Sequence, residues 1–179
     1  LIAYLSVHRP HVVLIQETWL DAPVDSVDVV GYQEVSRRDR KPTANRGGII
    51  TFQREDFNGL VKIEDCKHEE RTWHFLRLEA ETILLANWYR PGASEDDFEN
   101  LQLEIKDHYE GSSGLIIAGD LNIHHKKWLR FSNANTGIGA ELKAVCDHFG
   151  MWQAVREPTR NEYLLDLALT DIPNTKTTV

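Results

Sequence analysis

The feature that most constrains this chain is the stretch Gly114-Leu115-Ile116-Ile117-Ala118-Gly119-Asp120-Leu121-Asn122-Ile123-His124-His125. Its apolar run is too short for a helix and is bounded by glycines, so it reads as a buried strand. A carboxylate, an amide and two imidazoles follow directly. Strand ends are where layered α/β proteins hold reactive groups still. Gly119 permits a tight turn and is expected to leave room beside Asp120 for a ligand. The chain is expected to turn immediately after Asp120, presenting Asp120 and Asn122 to one ligand.

Two further apolar runs end in or contain an acid. Val12-Val13-Leu14-Ile15 leads into Gln16-Glu17-Thr18, and Leu164-Leu165-Asp166-Leu167-Ala168-Leu169-Thr170 carries Asp166 among aliphatic side chains. A carboxylate inside such a run is costly to bury unless it is paired or hydrogen-bonded. Glu17, Asp120 and Asp166 therefore form a candidate constellation. Oxygen donors without cysteine suit a hard cation, Mg2+ or Mn2+, although His124 and His125 keep zinc formally open. Cys66 and Cys146 match no metal-ligand spacing and read as buried thiols.

The other elements follow from patterning. Leu1 to His8 reads as the tail of a helix closed before Pro10. Strand signals recur at residues 31–36, 49–52, 60–63, 73–78 and 83–88, the last running into Tyr89-Arg90-Pro91-Gly92. Ser94 with Glu95, Asp96 and Asp97 reads as a capped helix start ahead of Phe98, Leu101, Ile105 and Tyr109. Gly139 to Phe149 reads as a second amphipathic helix, and residues 151–155 as a short connecting segment. No repeat, low-complexity tract or linker interrupts residues 1–179, so they are expected to form a single domain.

The formal net charge of −8 removes any general attraction to a polyanion, so a nucleic-acid partner requires local positive patches or bound cations. Two patches exist: Arg37, Arg38, Arg40 and Lys41 in what reads as one charged loop, and His124, His125, Lys126 and Lys127 after the central strand. Each is a candidate for backbone phosphates, which position a duplex without reading it. No stretch approaches the roughly twenty apolar residues of a membrane span, so a membrane partner is not expected.

The blocks Gln16-Glu17-Thr18, Trp88-Tyr89-Arg90-Pro91, Gly119-Asp120-Leu121-Asn122 with His124, His125 and Trp128, and Pro158-Thr159-Arg160 ahead of Leu165-Asp166-Leu167 occur in that order. On these blocks the chain resembles the endonuclease/exonuclease/phosphatase superfamily, and more narrowly the endonuclease domain of non-LTR retrotransposons. The resemblance implies an α/β fold, a two-sheet sandwich, mixed and largely antiparallel, flanked by helices and deoxyribonuclease I-like, truncated at both ends. It implies a Mg2+-dependent (Mn2+ possible in its place) hydrolysis of DNA phosphodiesters, in a larger polyprotein with a reverse transcriptase that acts inside the cell, on nuclear DNA. Glu17 would ligate the metal and Asp120 would orient or deprotonate the attacking water. Asn122 would hold the scissile phosphate region, Tyr89 would donate to a phosphate oxygen, and Asp166 would orient a catalytic histidine. Arg90, His124, His125, Lys126, Lys127, Thr159 and Arg160 would contact DNA. The family's first-strand Asn and its closing Ser-Asp-His type motif are expected outside residues 1–179, which would leave this stretch nearly inert. The rival readings are a phosphoesterase for inositol phosphate, phospholipid or RNA substrates, and a non-catalytic remnant.

Overall fold

A computed structural model of the chain describes residues 1–20, 24–40, 46–66, 68–92 and 98–179. Helix α1 (Ile2–His8) is followed by strands β1 (Val12–Gln16), β2 (Tyr32–Arg38), β3 (Ile49–Arg54), β4 (Leu60–Ile63), β5 (Arg71–Arg77) and β6 (Thr82–Trp88). Then come α2 (Phe98–Tyr109), β7 (Gly114–Asp120), α3 (Gly137–His148), β8 (Trp152–Gln153) and β9 (Asp166–Thr170). The helix start expected at Ser94 lies outside the described residues. Among the described residues no helix is long and apolar enough to cross a membrane.

The strands form a three-stranded sheet, β1-β3-β2, and a six-stranded sheet, β4-β5-β6-β7-β9-β8. Every pairing is antiparallel except β6 with β7. The parallel pair is spanned by α2, the crossover that a parallel connection requires. The two sheets meet face to face through contacts of β1 with β6 and β7, β2 with β4, and β3 with β6. This is the mixed, largely antiparallel sandwich that the sequence implied.

The two faces of the six-stranded sheet differ in chemistry. Alternate residues Trp73, Leu84, Ala86, Trp88, Leu115, Ile117, Leu167 and Leu169 join Phe98, Leu101 and Ile105 of α2 and Leu142, Val145 and Cys146 of α3 in one apolar cluster. Periodicities of two and 3.6 thus meet in a single core. Arg71 and Glu104 are buried within it as an ion pair of 2.8 Å, and Trp73 Nε1 donates to the same Glu104 oxygen at 2.7 Å. The opposite face, toward the small sheet, carries Thr72, His74 and Asn87, all buried, against buried Ser36, Thr51 and Gln53. A smaller cluster of Leu5, Val29, Tyr32, Ile50 and Phe52 seals α1 onto the outer side of the three-stranded sheet.

α3 begins at Gly137, two residues earlier than patterning suggested, because Thr136 caps it by accepting from Gly139 N at 3.0 Å. Gly119 also acts otherwise than expected. A Cβ there would lie 1.9 Å from the Trp88 carbonyl oxygen, so the missing side chain admits the neighbouring strand rather than a ligand.

Candidate active site

Four segments leaving strand ends converge at one edge of the sandwich. Glu17 follows β1, Tyr89 follows β6, Asp120 ends β7 with Asn122 just beyond, and Asp166 opens β9. Tyr89 Oη donates to Glu17 Oε1 at 2.5 Å, which joins the exit of the small sheet to the exit of the large one. Arg90 N donates to the Asp120 carbonyl at 2.9 Å, and Asn122 Nδ2 donates back to the Arg90 carbonyl at 2.9 Å. The exits of β6 and β7 are therefore braced to each other on both sides of Asp120.

Asn122 has φ 47°, and its amide N donates to Asp120 Oδ1 at 3.1 Å. The chain thus turns directly after Asp120, as expected. Glu17 also lies in the left-handed region, at φ 53°. Non-glycine residues hold such backbone only where their surroundings over-determine it, and such positions cluster at functional sites.

Asp120 and Asp166 are direct cross-strand partners. Burial first, and then the Asp166 charge, push the Asp120 carboxyl up to about 6. The Arg160 guanidinium, 4.0 Å from Asp120 Oδ2 and largely exposed, offsets part of this. The phenol of Tyr89 is pushed well above its ordinary range, by burial and then by its bond to Glu17, and stays protonated as a donor. Asp166 differs from the sequence picture of a strand-interior acid. It is the first residue of β9 and only partly buried, and its amide and that of Leu165 are held by Thr159 Oγ1 at 3.0 and 3.2 Å. Thr159 is thus a fixing residue for Asp166, with Gln16, Ala118 and Gly119 lining the same shallow cleft.

Arg90 is not where a phosphate contact needs it. It is 1 % exposed, and its Nη1 points to the Leu121 carbonyl at 3.5 Å, so its guanidinium sits beneath the site. His124 packs edge-on to Tyr163 and His125 against Trp128, while Lys126 and Lys127 are exposed on the turn between them. The first basic cluster is also spoken for: Arg37 pairs with Asp39 at 2.7 Å, Arg38 donates to the carbonyls of His68 and Cys66, and Arg40 lies 3.9 Å from Glu70. Arg37 and Arg38 belong to β2 rather than to a loop, and Lys41 lies outside the described residues. Among the described residues no hydrogen bond or ion pair joins a histidine to Asp166.

Pattern reading missed the residues that hold the site. Gln16 Nε2 donates to Asn87 Oδ1 at 2.6 Å, and Asn87 Nδ2 donates to the Ile50 carbonyl and to Thr51 Oγ1, each at 3.1 Å. This buried clamp stands one residue before Glu17 and two before Tyr89. Buried Glu70 accepts from Gly48 N at 2.9 Å, and its carbonyl accepts from Tyr89 N at 2.9 Å. An amide inside the otherwise apolar run of residues 83–88 was the available signal, since a buried amide requires partners.

The donor set suits a hard divalent cation. Glu17, Asp120 and Asp166 concentrate negative charge, and the nearby donors are oxygens. Among the described residues no three acidic, histidine or cysteine side chains form a ready cage. An ion here would be held by Glu17 and would complete its shell with water and substrate oxygens, the habit of Mg2+.

Residues 83–178 match the family model described as endonuclease-reverse transcriptase. The match covers more than half of the chain, and the chain belongs to that family. The fold is likewise that of deoxyribonuclease I-like endonucleases. The endonuclease domain of TRAS1, a telomere-specific non-LTR retrotransposon, superposes with a TM-score of 0.70 at 16% identity, covering 94% of this chain and 75% of the other. An AP endonuclease of Leishmania major gives 0.71 at 15% identity over 94% and 72%. The catalytic domain of APE2 from Xenopus laevis gives 0.64 at 15% identity over 94% and 76%. No curated protein matches the sequence.

Proposed function

We propose that this chain is the endonuclease part of a longer reverse-transcriptase protein and nicks nuclear target DNA by hydrolysing a phosphodiester. The observation that carries this reading is the convergence of Glu17, Tyr89, Asp120 and Asn122 from separate strand ends, with burial and the neighbouring Asp166 raising the proton affinity of Asp120.

In the proposed mechanism Asp120 takes a proton from the attacking water. A base that exchanges its proton near pH 6 is well matched to neutral solution, and such a group typically contributes about a hundred- to ten-thousand-fold in rate. Asn122, held at its left-handed turn, orients the water or the phosphate. Tyr89 leaves its bond to Glu17 and donates to a phosphate oxygen as charge develops. A Mg2+ ion held by Glu17 would polarise the phosphate and stabilise the leaving oxygen. Lys126, Lys127 and Arg160 contact flanking phosphates, with His124 and His125 shaping the turn that presents them.

Asp166 is assigned to orient a histidine. Since no described histidine is bonded to it, we propose that residues 1–179 alone nick poorly. The test is supercoiled-plasmid nicking with Mg2+, comparing residues 1–179 with a version extended at both ends. The expected result is EDTA-sensitive nicking by the extended version, with little by the shorter one. Equal, EDTA-sensitive activity in both would overturn the role given to Asp166. An extended version that is folded, binds Mg2+ and never nicks would favour a non-catalytic domain.

A further inference from the structure

The loop after β1 carries a feature that the proposed chemistry leaves unused. Trp19 stands two residues beyond Glu17 and is 60% exposed, whereas Trp73 and Trp88 are only 0% and 1% exposed. An indole in water forgoes the burial that such a side chain ordinarily contributes. Its backbone is also in the left-handed region, at φ 54°, like that of Glu17.

The perch is rigidly built. Trp19 N donates to the Gly47 carbonyl at 2.9 Å, and Thr18 N to the Gly48 carbonyl at 3.2 Å. Gly47 and Gly48 have φ 99° and 84°, and a Cβ on either would collide with Glu70 or Thr18. Glu70 in turn holds Gly48 N and, through its carbonyl, Tyr89 N. One buried acid therefore fixes the indole with respect to both Glu17 and Tyr89. The Arg46 guanidinium lies over the ring, 5.9 Å from its centroid.

We infer that Trp19, backed by Arg46, is a stacking platform for a nucleobase of the DNA strand bound at Glu17, and so a determinant of where that strand is cut. Every base has a π-face, and an aromatic ring beside a cation suits both base and phosphate in a chain whose net charge is −8. A rim aromatic locked to the metal-holding acid can fix the base next to the scissile phosphate without reading it by hydrogen bonds. This inference rests on the DNA reading given above, and its test separates the two.

Residues 1–179 are titrated with a duplex oligonucleotide in EDTA at several salt concentrations, with acrylamide quenching of tryptophan emission as the second readout. Trp19→Ala should weaken binding about 10- to 100-fold at every salt concentration and leave the slope against salt unchanged. Trp19→Phe should stay close to wild type. DNA should shield the quencher-accessible emission of the wild-type chain, and this shielded component should vanish in Trp19→Phe. In the extended version, Trp19→Ala should also spread nicking over more positions. Wild-type affinity, shielding elsewhere and an unchanged cut pattern in Trp19→Ala would overturn the platform while leaving the nuclease reading intact. Failure of the wild-type chain to bind DNA both in EDTA and in Mg2+ would overturn both, and an indole covered by a protein partner would then be the remaining account.

Discussion

The two faces of the six-stranded sheet are built from the same strands yet do different work. The helix-covered face is continuous hydrocarbon with one enclosed ion pair, and its alternation is what makes β5, β6, β7 and β9 strands at all. The face toward the small sheet is threaded with amides, hydroxyls and an imidazole, of which the Gln16–Asn87–Thr51 set is the most connected. Apolar packing is non-directional, so it tolerates small shifts between layers. A buried amide with named partners does not, because a displaced partner leaves an unsatisfied group. The helix-covered face therefore supplies stability, and the inter-sheet face fixes the register in which Glu17 of one sheet meets Tyr89 of the other.

Substitutions on the two faces should separate these contributions. Trp73→Ala, on the helix-covered face, should cost about 3–5 kcal/mol of stability by chemical denaturation, because it leaves a large cavity and strips a donor from Glu104. Nicking per folded molecule should change little. Asn87→Ala, on the other face, should cost only about 1–3 kcal/mol. Its nicking rate in the extended version should nevertheless fall at least as far as its stability would never explain, measured at a temperature where both proteins are fully folded. Equal activity losses at Trp73 and Asn87 would break the comparison.

The inter-sheet face should also carry the acid lability. His74 is buried with its Nε2 at 2.8 Å from Ser36 Oγ, and burial pushes it down to about 4 from the usual 6.5. As pH falls through 6.5 the unfolded chain takes up a proton that the folded chain refuses until about 4, so stability is lost in that window. At pH 5 the loss should be on the order of 2 kcal/mol, and His74→Phe should flatten that part of the profile. The smallest effect concerns the surface. Alanine at both Lys126 and Lys127 should leave stability unchanged, weaken DNA binding severalfold and lower the salt slope by about 2. An unaltered slope would make that turn a solvated feature only.

Much of this architecture was legible. Short apolar runs bounded by glycine gave β7 and β9, helical spacing gave α2 and α3, and strand-end acids gave Glu17 and Asp120. Acids at strand ends also pointed to one shared cleft for Glu17, Asp120, Asn122 and Tyr89, but which sheet each strand joins, and in what register, was not readable from the residues alone. The same limit hid the Gln16–Asn87 clamp and the role of Glu70, whose partners lie far away in sequence. Arg90 shows the converse: it sits beside Tyr89 in sequence, yet alternation along the segment turns it into the interior. Arg37 and Arg38 read as a charged loop because β2 carries few apolar residues, and their pairing with Asp39 and with two carbonyls is tertiary.

Asp120 is the residue on which the proposed chemistry turns, and Asp120→Asn tests it most directly. Raised affinity for a proton means that the folded state holds a proton between pH 3.8 and about 6 that the unfolded state has released, so stability falls as pH rises through that window. Removing the charge should therefore raise stability at pH 7, on the order of 1–3 kcal/mol. In the extended version the same change should lower nicking by about a hundred- to ten-thousand-fold, and wild-type activity should decline on acidification as Asp120 takes up its proton, with bound Mg2+ moving that decline to lower pH. A more stable protein that has lost its nicking is the result this account predicts. Nicking within a few-fold of wild type in Asp120→Asn, with the same pH profile, would contradict it.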